Sequence, residues 1–465
     1  MEMPGKARGK CVVFDIGKTH TKASVVGADG FIWAQRRTRT PHFNAPLYRA
    51  IDVDAIHAWF VTQLRDFGRA FFIDRIIPVT HGATCAFLDE EERLVQPVQD
   101  YESVVPAPFA EAYGRIRPLF SETQSPHLPQ GLNLGCQIFW HAQRDPKTFA
   151  RVRWILNYPQ YWAWRLSGEL SNEVTSMGCH TDLWSPAKGQ FSTLAHDQHW
   201  TDRFPAMRPA WERQATLRSD IARAAELPPS TQVCVGLHDS NAALAGSLLS
   251  PQDRPQALLS TGTWFVAMAP GAPIAPLAPQ RDCLANVDIF GTPVACSRFM
   301  GGRVYGHFNQ GDRAINQAAL RAVMEAKALA MPSFSDCGGP FPTLRGEIRG
   351  LGDAPPEYRA ALGALYLASM SSTCLDLIHS EADLLIEGPL AQSPHLCGLL
   401  AALRPGAVLV NDTVSGVTLG AAALSFYGET SPPLVSRRPV KPLFRKALRA
   451  YHHLWRTVVD AELTA

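Results

Sequence analysis

Short apolar runs separated by polar turns open the chain. A run at residues 11–16 is followed by a second at 22–26 and, after an Asp-Gly turn, by a third at 31–34, which predicts a three-stranded meander. Apolar residues then recur at helical spacing over 52–67, behind Asp52 or Asp54 as the capping residue. The opening therefore predicts the order strand, strand, strand, helix.

Later segments alternate between strand and helix. The predicted strands lie at 75–79, 85–88, 233–237, 257–261, 264–268, 383–387 and 407–410. The predicted helices are one at 146–168 that Pro159 interrupts, one at 241–248, an amphipathic one at 357–379, one after Pro394 and a closing one from Ser415. This alternation predicts α/β layers.

The chain is long enough for two domains. Its 465 residues exceed the roughly 250–300 that one hydrophobic core supports. After a predicted linker at 251–255 the pattern starts again, because both halves place a Gly/Thr turn between two short apolar strands, at 15–19 and at 260–263. We interpret the repeat as one structural unit used twice and predict domains over 1–248 and 249–465.

Charge and cysteine usage narrow the class of protein. The 44 basic and 42 acidic residues leave a formal charge of +2 without a long run of either sign, so we expect no nucleic-acid partner. We find neither a signal-type apolar segment nor a membrane-length one, and expect a cytoplasmic protein. Ten cysteines without a C-x-x-C pair indicate reduced, mostly buried thiols.

The first Gly/Thr turn has the residue types that bind phosphate. Gly17 lets the main chain approach phosphate oxygens, and Lys18, Thr19 and Lys22 can donate to them. Asp15 ends a buried strand and would hold Mg²⁺ through water. An ordinary hairpin is the alternative interpretation.

The second turn, with Gly262 and Thr263, has the same alternative. Two such hairpins half a chain apart are harder to explain by turn geometry, because a phosphate tail held between two domains needs a contact from each. The pair therefore favours nucleotide binding more than either turn does.

Asp239 is the candidate general base. It follows an apolar strand at the start of a helix with small neighbours, and a carboxylate that accepts a hydroxyl proton contributes about 10² to 10⁴ in rate. A helix cap is the equally weighted alternative. The polar loop Thr80, His81 and Gly82, and His238 beside the base, are candidate sugar contacts. A lone histidine is more often structural, and the aromatic run at 158–164 is more often core than a sugar platform.

Three segments resemble motifs of the FGGY carbohydrate kinases, members of the sugar kinase, chaperone ATPase and actin superfamily. Residues 15–22 resemble the first phosphate motif, 236–246 the catalytic-aspartate segment, and 259–264 the second phosphate motif in its rhamnulose and fuculose kinase form. The resemblance implies two actin-like (ribonuclease H-like) α/β domains, with Mg·ATP and a sugar in a cleft between them.

The segment at 387–393 departs from the family's adenosine motif. Gly388 and Gln392 are the residues that carry over as nucleotide contacts. Pro389 removes a main-chain donor and restricts φ, which predicts that the nucleotide base is held differently or less selectively.

These observations favour an ATP- and Mg²⁺-dependent kinase for a ketose or deoxyketose such as rhamnulose, fuculose or xylulose. Trp264 favours a deoxyketose, and a xylulose or ribulose kinase is the alternative within the class. A non-catalytic sugar or nucleotide sensor, or a partner-driven ATPase on the same fold, is the alternative outside it. We expect a small sugar as the binding partner, no membrane, and a chain compatible with a homodimer.

Overall fold

The computed structural model describes residues 9–250, 254–309, 315–335, 338–411, 416–433 and 437–464. Within these ranges, the strands are β1 (Lys10–Ile16), β2 (His20–Gly27), β3 (Ile32–Arg39), β4 (His42–Asn44), β5 (Arg49–Ile51), β6 (Ile73–Thr80), β7 (Cys85–Leu88), β8 (Trp154–Asn157), β9 (Trp184–Ser185), β10 (Gln190–Phe191), β11 (Arg213–Thr216), β12 (Gln232–Cys234), β13 (Leu237–His238), β14 (Gln256–Thr261), β15 (Phe265–Pro270), β16 (Cys283–Val287), β17 (Pro293–Phe299), β18 (Leu329–Met331), β19 (Glu347–Arg349), β20 (Asp383–Glu387), β21 (Val408–Val410) and β22 (Arg438–Pro439).

The α-helices of the same ranges are α1 (Val53–Ala70), α2 (Ala107–Ile116), α3 (Phe120–Thr123), α4 (Leu134–Arg144), α5 (Pro146–Ala150), α6 (Tyr158–Ser167), α7 (Val174–Met177), α8 (Thr193–Asp197), α9 (Ser219–Ala224), α10 (Asp239–Leu249), α11 (Gly301–Phe308), α12 (Gln317–Glu325), α13 (Pro356–Leu377), α14 (Pro394–Leu403), α15 (Gly416–Ser425) and α16 (Arg445–Leu463). Short 3₁₀ turns lie at Thr201–Arg203, Pro279–Arg281 and Pro389–Gln392.

The chain divides into two compact units. The first comprises Met1–Pro251, Ala285–Pro293 and Gly416–Leu434, and the second comprises Gln252–Leu284, Val294–Ser415 and Val435–Ala465. The first unit thus includes two segments from the second half of the chain. The boundary after residue 248 stays a prediction, and residues 251–253 of the predicted linker lie outside the described residues.

The first sheet has the strand order β11-β12-β6-β1-β2-β3, and β13 also pairs with β6. The predicted order of three strands and a helix is confirmed, with the short hairpin β4–β5 added before α1, whose cap is Asp52. β1 is apolar on both faces because a helical layer covers each. Phe14 stacks on Phe60 of α1 and contacts the buried Trp162 of α6, so this part of the aromatic run is core.

Helices α10 and α15 pack against each other over the other face of this sheet. Small residues allow the close approach, since a Cβ atom on Gly420 would overlap the carbonyl oxygen of Ala242. The helix predicted from Ser415 is therefore present from Gly416, Ser415 itself lying outside the described residues. It is not the closing helix, because α16 follows it. The sequence pattern had not predicted α16.

The second sheet has the order β16-β17-β15-β14-β20-β21-β22. β14 is antiparallel to β15 and parallel to β20, just as β1 is antiparallel to β2 and parallel to β6. The predicted structural repeat is therefore confirmed.

Two predicted helices were wrong in detail. The segment predicted as a helix over 146–168 contains α5, then β8 paired with β7, then α6. Pro159 is the second residue of α6 and does not interrupt a helix, because a first-turn residue needs no N–H partner. Helix α13 is not amphipathic. Among the described residues it alone is long and apolar enough to cross a membrane, yet 89% of its apolar window is buried, as in the core helix of a globular domain.

The cysteines match the expectation of buried thiols. Nine of the ten lie in the described residues, and all nine are buried and form no disulfide bond there. Cys337, the tenth, is outside the described residues.

Candidate active site

Three neighbouring strands of the first sheet end at one edge. β1 is parallel to β6, and β6 is parallel to β13, with Ile16 beside Thr80 and Thr80 beside His238. The residues that follow these strands are Gly17, His81 and Asp239. Open α/β sheets bind ligands where their parallel strands end. The edge is therefore the candidate active site, and it unites predicted residues from three parts of the chain.

The first Gly/Thr turn is held by main-chain bonds and by Thr40. The N–H of Gly17 donates to the carbonyl of His20 (3.0 Å), and the N–H of Thr40 donates to the carbonyl of Thr19 (3.0 Å). The hydroxyl of Thr40 donates to the carbonyl of Gly17 (2.7 Å). These bonds fix the main chain of the turn. The side chain of Thr19 is exposed, so its hydroxyl can donate to an anion.

Asp15 and Lys22 form an ion pair across β1 and β2. They are register partners, and Nζ of Lys22 lies 3.2 Å from Oδ2 of Asp15. Burial raises the pKa of the Asp15 carboxyl, the charge of Lys22 opposes that rise, and the charge of Asp239 adds to it. Asp15 and Asp239 are thus close enough to interact electrostatically.

Asp239 is the first residue of α10, and His238 occupies the N-cap position. Its Oδ1 accepts a hydrogen bond from the N–H of Ser240 (2.6 Å) and lies 3.2 Å from Nε2 of His238. The positive end of the helix dipole favours a negative charge here. The side chain is about one-third exposed, so a ligand can reach it.

His81 presents an unpaired nitrogen at the same edge. Its Nδ1 lies 2.9 Å from the carbonyl of Gly82, whereas Nε2 is buried without a hydrogen-bond partner among the described residues. Thr80 is buried, and its hydroxyl donates to the carbonyl of His81 (2.9 Å). Burial lowers the pKa of His81, so the ring is neutral. Tyr101 and Tyr158 each pack against the ring at 5.3 Å between centroids.

Sequence reasoning missed Cys179, which lies beside this group. Its Sγ is 3.9 Å from Nε2 of His238. Burial acts to raise the pKa of the thiol, but the imidazoles of His180 and His238 outweigh it and hold that pKa well below its usual value. Burial likewise acts to lower the pKa of His238, and Cys179 and Asp239 outweigh it and raise it to about 9. No spacing signal could have revealed a single cysteine 59 residues away.

Glu173 supports the strand before Asp239 from beneath. Its Oε2 accepts hydrogen bonds from the N–H (2.9 Å) and the hydroxyl (2.6 Å) of Thr175, and that hydroxyl oxygen accepts the N–H of His238 (3.1 Å). Complete burial raises the pKa of Glu173 to about 7. The main chain entering α10 is therefore fixed by a buried carboxyl group.

Lys18 has different ion-pair partners from Lys22. Its ammonium group forms an ion pair with Asp100, lies 3.3 Å from Oε2 of Glu102 and sits 4.8 Å from the ring centroid of Tyr101. The sequence indicated neither partner, and the predicted phosphate contact of Lys18 stays a prediction.

The second unit contains the matching hairpin, between β14 and β15. The N–H of Gly262 donates to the carbonyl of Trp264 (3.0 Å), and the N–H of Gly302 donates to the carbonyl of Thr263 (3.2 Å). A Cβ atom on Gly302 would overlap the carbonyl oxygen of Gly262. Trp264 packs over the guanidinium of Arg298 at 4.8 Å. The start of α11 therefore supports this turn.

The predicted adenosine segment adjoins that hairpin. The hydroxyl of Thr261 donates to the carbonyl of Glu387 (2.5 Å), and a Cβ atom on Gly388 would lie 2.6 Å from the carbonyl oxygen of Thr261. Gly388 has a φ of +88°, which favours glycine. Gln392 ends the 3₁₀ turn that Pro389 begins, and it is exposed. Burial raises the pKa of Glu387 to about 7.

Two family descriptions match the sequence along most of its length. Residues 11–246 match "FGGY family of carbohydrate kinases, N-terminal domain", and residues 253–433 match "Carbohydrate kinase FGGY, C-terminal domain". The chain belongs to the FGGY family of carbohydrate kinases. The predicted family, the two-domain actin-like α/β fold and the class of enzyme, a carbohydrate kinase, are confirmed.

Solved structures agree with this FGGY assignment. A carbohydrate kinase from Novosphingobium aromaticivorans is 34% identical, with a TM-score of 0.88 over 98% of this chain and 99% of that one. A ligand-bound xylulose kinase from Lactobacillus acidophilus (13% identity, TM-score 0.83, 98% and 99% coverage) and Plasmodium falciparum glycerol kinase with ADP (11%, 0.78, 99% and 99%) share the fold. No curated protein matched the sequence.

The residues of this FGGY kinase fit a nucleotide and a hydrated magnesium ion. Thr19 of the first turn and Gly262 and Thr263 of the second are exposed, so these turns can meet phosphate oxygens. The described residues hold no group of three or more His, Cys, Asp or Glu side chains that could chelate a metal. Mg²⁺ keeps much of its water and binds to substrate phosphates with one or two carboxylates, so Asp15 suits it.

Proposed function

We propose that this FGGY kinase transfers the γ-phosphoryl group of Mg·ATP to a hydroxyl of a small neutral sugar, a ketose or deoxyketose such as rhamnulose, fuculose or xylulose. Asp239 is the general base. The observation that carries the proposal is the sheet edge at which Asp239, Asp15 and the unpaired nitrogen of His81 lie together. Phosphoryl transfer needs a base, a group for the metal and a means of orienting the acceptor.

Asp239 accepts the proton of the attacking hydroxyl. The N–H of Ser240 and the cationic His238 hold its carboxylate in place, and α10 starts at this residue. The hydroxyl oxygen forms a bond to the γ-phosphorus as the bond to the bridging oxygen breaks, and ADP leaves. Precise placement of the base matters because hydroxyl attack needs a proton acceptor within hydrogen-bond reach.

His81 and its loop orient the acceptor. Because Nδ1 faces the carbonyl of Gly82, it carries the single proton of the neutral ring, and the unpaired Nε2 can accept a hydrogen bond from a sugar hydroxyl. Thr80, Gly82 and His238 complete the predicted sugar contacts. A Cβ atom on Gly82 would come within 3.0 Å of Nε2 of His238, so glycine leaves room for that imidazole ring.

The nucleotide is assigned to the two Gly/Thr turns and to Asp15. Gly17, Thr19, Lys22, Gly262 and Thr263 would contact the phosphates. Gly388 and Gln392 would face the nucleoside. Mg²⁺ supplies charge neutralisation for the phosphates when it is bound.

Charge around His81 favours a neutral acceptor over a sugar acid. Asp239 and Asp100 both act on the His81 ring, and Lys18, a cation that also acts on it, is already paired with Asp100. A substrate carboxylate would face the negative charge of Asp239, and the neighbouring cation, His238, is already paired with Asp239. Solved structures of this fold include a xylulose kinase and a gluconate kinase, and these charges support a substrate of the neutral kind.

A coupled ADP-release assay over ketoses, deoxyketoses, aldoses, polyols and gluconate tests the proposal. We expect one neutral sugar to raise ADP release in the wild type and not in Asp239→Asn. No rise in ADP release with any acceptor while ATP still binds would favour a sensor, and ATP turnover without any sugar would favour a partner-driven ATPase.

A cytoplasmic location and a homodimer stay predictions.

A further inference from the structure

Two lysines in the first hairpin have different surroundings. Lys22 pairs with Asp15 at the candidate metal site, and its side chain is 40% exposed. The side chain of Lys18 is 20% exposed and contacts Asp100 and Glu102, which lie in a different part of the chain. Sequence alone treats both as phosphate ligands, whereas their contacts separate them.

Asp100 anchors Lys18 from a buried position. Its carboxylate is 1% exposed, contacts Lys18, accepts the N–H of Glu102 (3.0 Å) and lies 3.5 Å from Nε2 of His42. Burial acts to raise the pKa of Asp100, but the hydrogen bond and charge of Lys18 outweigh it and leave that pKa below its usual value. The ammonium group of Lys18 is therefore committed to a buried carboxylate.

Lys18 also connects to the acceptor side through an aromatic ring. Its Nζ lies 4.8 Å from the centroid of Tyr101. Tyr101 in turn packs edge-on against His81, with 5.3 Å between ring centroids. The charges of Lys18 and Asp100 both act on the pKa of His81. Contacts thus run from the hairpin to the imidazole whose Nε2 is unpaired.

We propose that Lys18 is a positioning residue for the sugar subsite and not a ligand of the nucleotide phosphates. Paired with Asp100, Lys18 holds Tyr101 against His81. Tyr101 then forms one side of the sugar subsite and fixes the orientation of the imidazole that contacts the acceptor. The claim that Lys18 positions the sugar subsite, the acceptor half of the proposal, rests on the proposed sugar kinase activity. The claim that Lys18 does not bind phosphate, the nucleotide half, rests only on the ion pair with Asp100.

The experiment compares Lys18→Met with Lys22→Met in the full-length enzyme. For Lys18→Met we expect the KM of the sugar to rise about tenfold, since a cation–π contact and a buried ion pair are lost, with the KM of ATP within about twofold of wild type. Lys22→Met should show the reverse division. Lys188→Met, at an exposed lysine, is the control for the substitution itself.

Further variants keep the outcome decisive if Lys18→Met folds poorly. Lys18→Arg keeps the charge and should restore the KM of the sugar, and Tyr101→Leu should reproduce the defect while the ion pair stays intact. A rise in the KM of ATP with an unchanged KM of the sugar in Lys18→Met would overturn the proposal.

Titration with a fluorescent ATP analogue distinguishes this inference from the proposed function. It needs no sugar and is done on the same five variants. If the wild type turns over no sugar, the kinase proposal fails, and the acceptor role of Lys18 fails with it. Weaker nucleotide binding in Lys18→Met than in Lys22→Met would overturn the nucleotide half whatever the turnover assay shows.

Discussion

The two Gly/Thr hairpins share one construction. In each, a buried strand leads into a turn closed by a glycine N–H bond of 3.0 Å, and the following strand returns antiparallel. In each, a parallel strand flanks the first strand, β6 in the first unit and β20 in the second.

Their surroundings differ in charge. The first turn lies beside Asp15, Lys22, Lys18 and Asp100, and the adjoining strand ends lead to Asp239. The second turn is held by main-chain bonds, by the close approach of Gly302 and by Trp264 over Arg298, whose charge is paired with Asp282. The comparison supports our proposal that the first turn serves the catalytic residues and the second holds the nucleotide.

Asp239→Asn is expected to have the largest effect on the first unit. Without a proton acceptor, kcat should fall by about 10² to 10⁴. Nucleotide affinity should stay within about twofold of wild type, because the second hairpin is untouched. Steady-state kinetics and nucleotide titration measure the two, with the exposed Asp197→Asn as control. Near-normal kcat would reassign the base.

Substitution of Glu387 tests whether a buried carboxyl group beside the second hairpin makes the free energy of unfolding depend on pH. Its pKa is about 7 in the folded protein against an ordinary value of 4.5, so it contributes stability below pH 4.5 that is lost as the pH rises through 7. Glu387→Gln should remove up to about 3 kcal/mol of that decline in the free energy of unfolding.

Urea unfolding at several pH values between 4.5 and 8 measures this decline. Glu381→Gln, at an exposed carboxylate two residues before β20 begins, is the matched control and should leave the wild-type pH dependence intact. Parallel curves for Glu387→Gln and the wild type would refute the role of burial.

Gly420→Ala tests the support beneath Asp239. The added Cβ would overlap the carbonyl of Ala242 and separate α15 from α10, so we expect a loss of about 1–3 kcal/mol in the free energy of unfolding. Gly114→Ala in α2, where a Cβ meets no atom within 4 Å, should be neutral or slightly stabilising. Equal stabilities of the two variants would show that the helices can move apart without loss.

Asp15→Asn should have a smaller effect that is confined to the metal. The Mg²⁺ concentration at half-maximal rate should rise about 10- to 100-fold, as for other groups that orient a metal's ligands. Rate measurements at fixed ATP with varied Mg²⁺ check this, with the exposed Asp29→Asn as control. An unchanged metal dependence would remove Asp15 from the metal site.

The sequence predicted the fold more accurately where the apolar face of one element or the residues of one turn were sufficient to identify it. The opening meander, α1 with its cap Asp52, and both hairpins were recognisable because period and turn chemistry are local. β8 was mistaken for helix because a four-residue strand is too short to show a distinguishing period. α13 was predicted as an amphipathic helix and is buried on all sides, since its burial depends on the elements that surround it.

The residues of the candidate site followed the same division. Asp15 and Asp239 were predicted from their positions at strand ends, and Gly17 from its turn. Cys179 was not found, and Lys18 was assigned to phosphate without any sign of Asp100. Neither contact leaves a spacing signal, because the partners are far apart in the chain.

The sequence by itself determined the family, the repeated α/β unit and the residue types for phosphoryl transfer, because turn glycines and strand-end carboxylates occupy short segments. The tertiary structure alone decided which lysine faces which carboxylate, that a thiol lies beside His238, and that α15 belongs to the first unit. Those contacts join residues tens to hundreds of positions apart. They depend on how strands and helices pack, which no local pattern records.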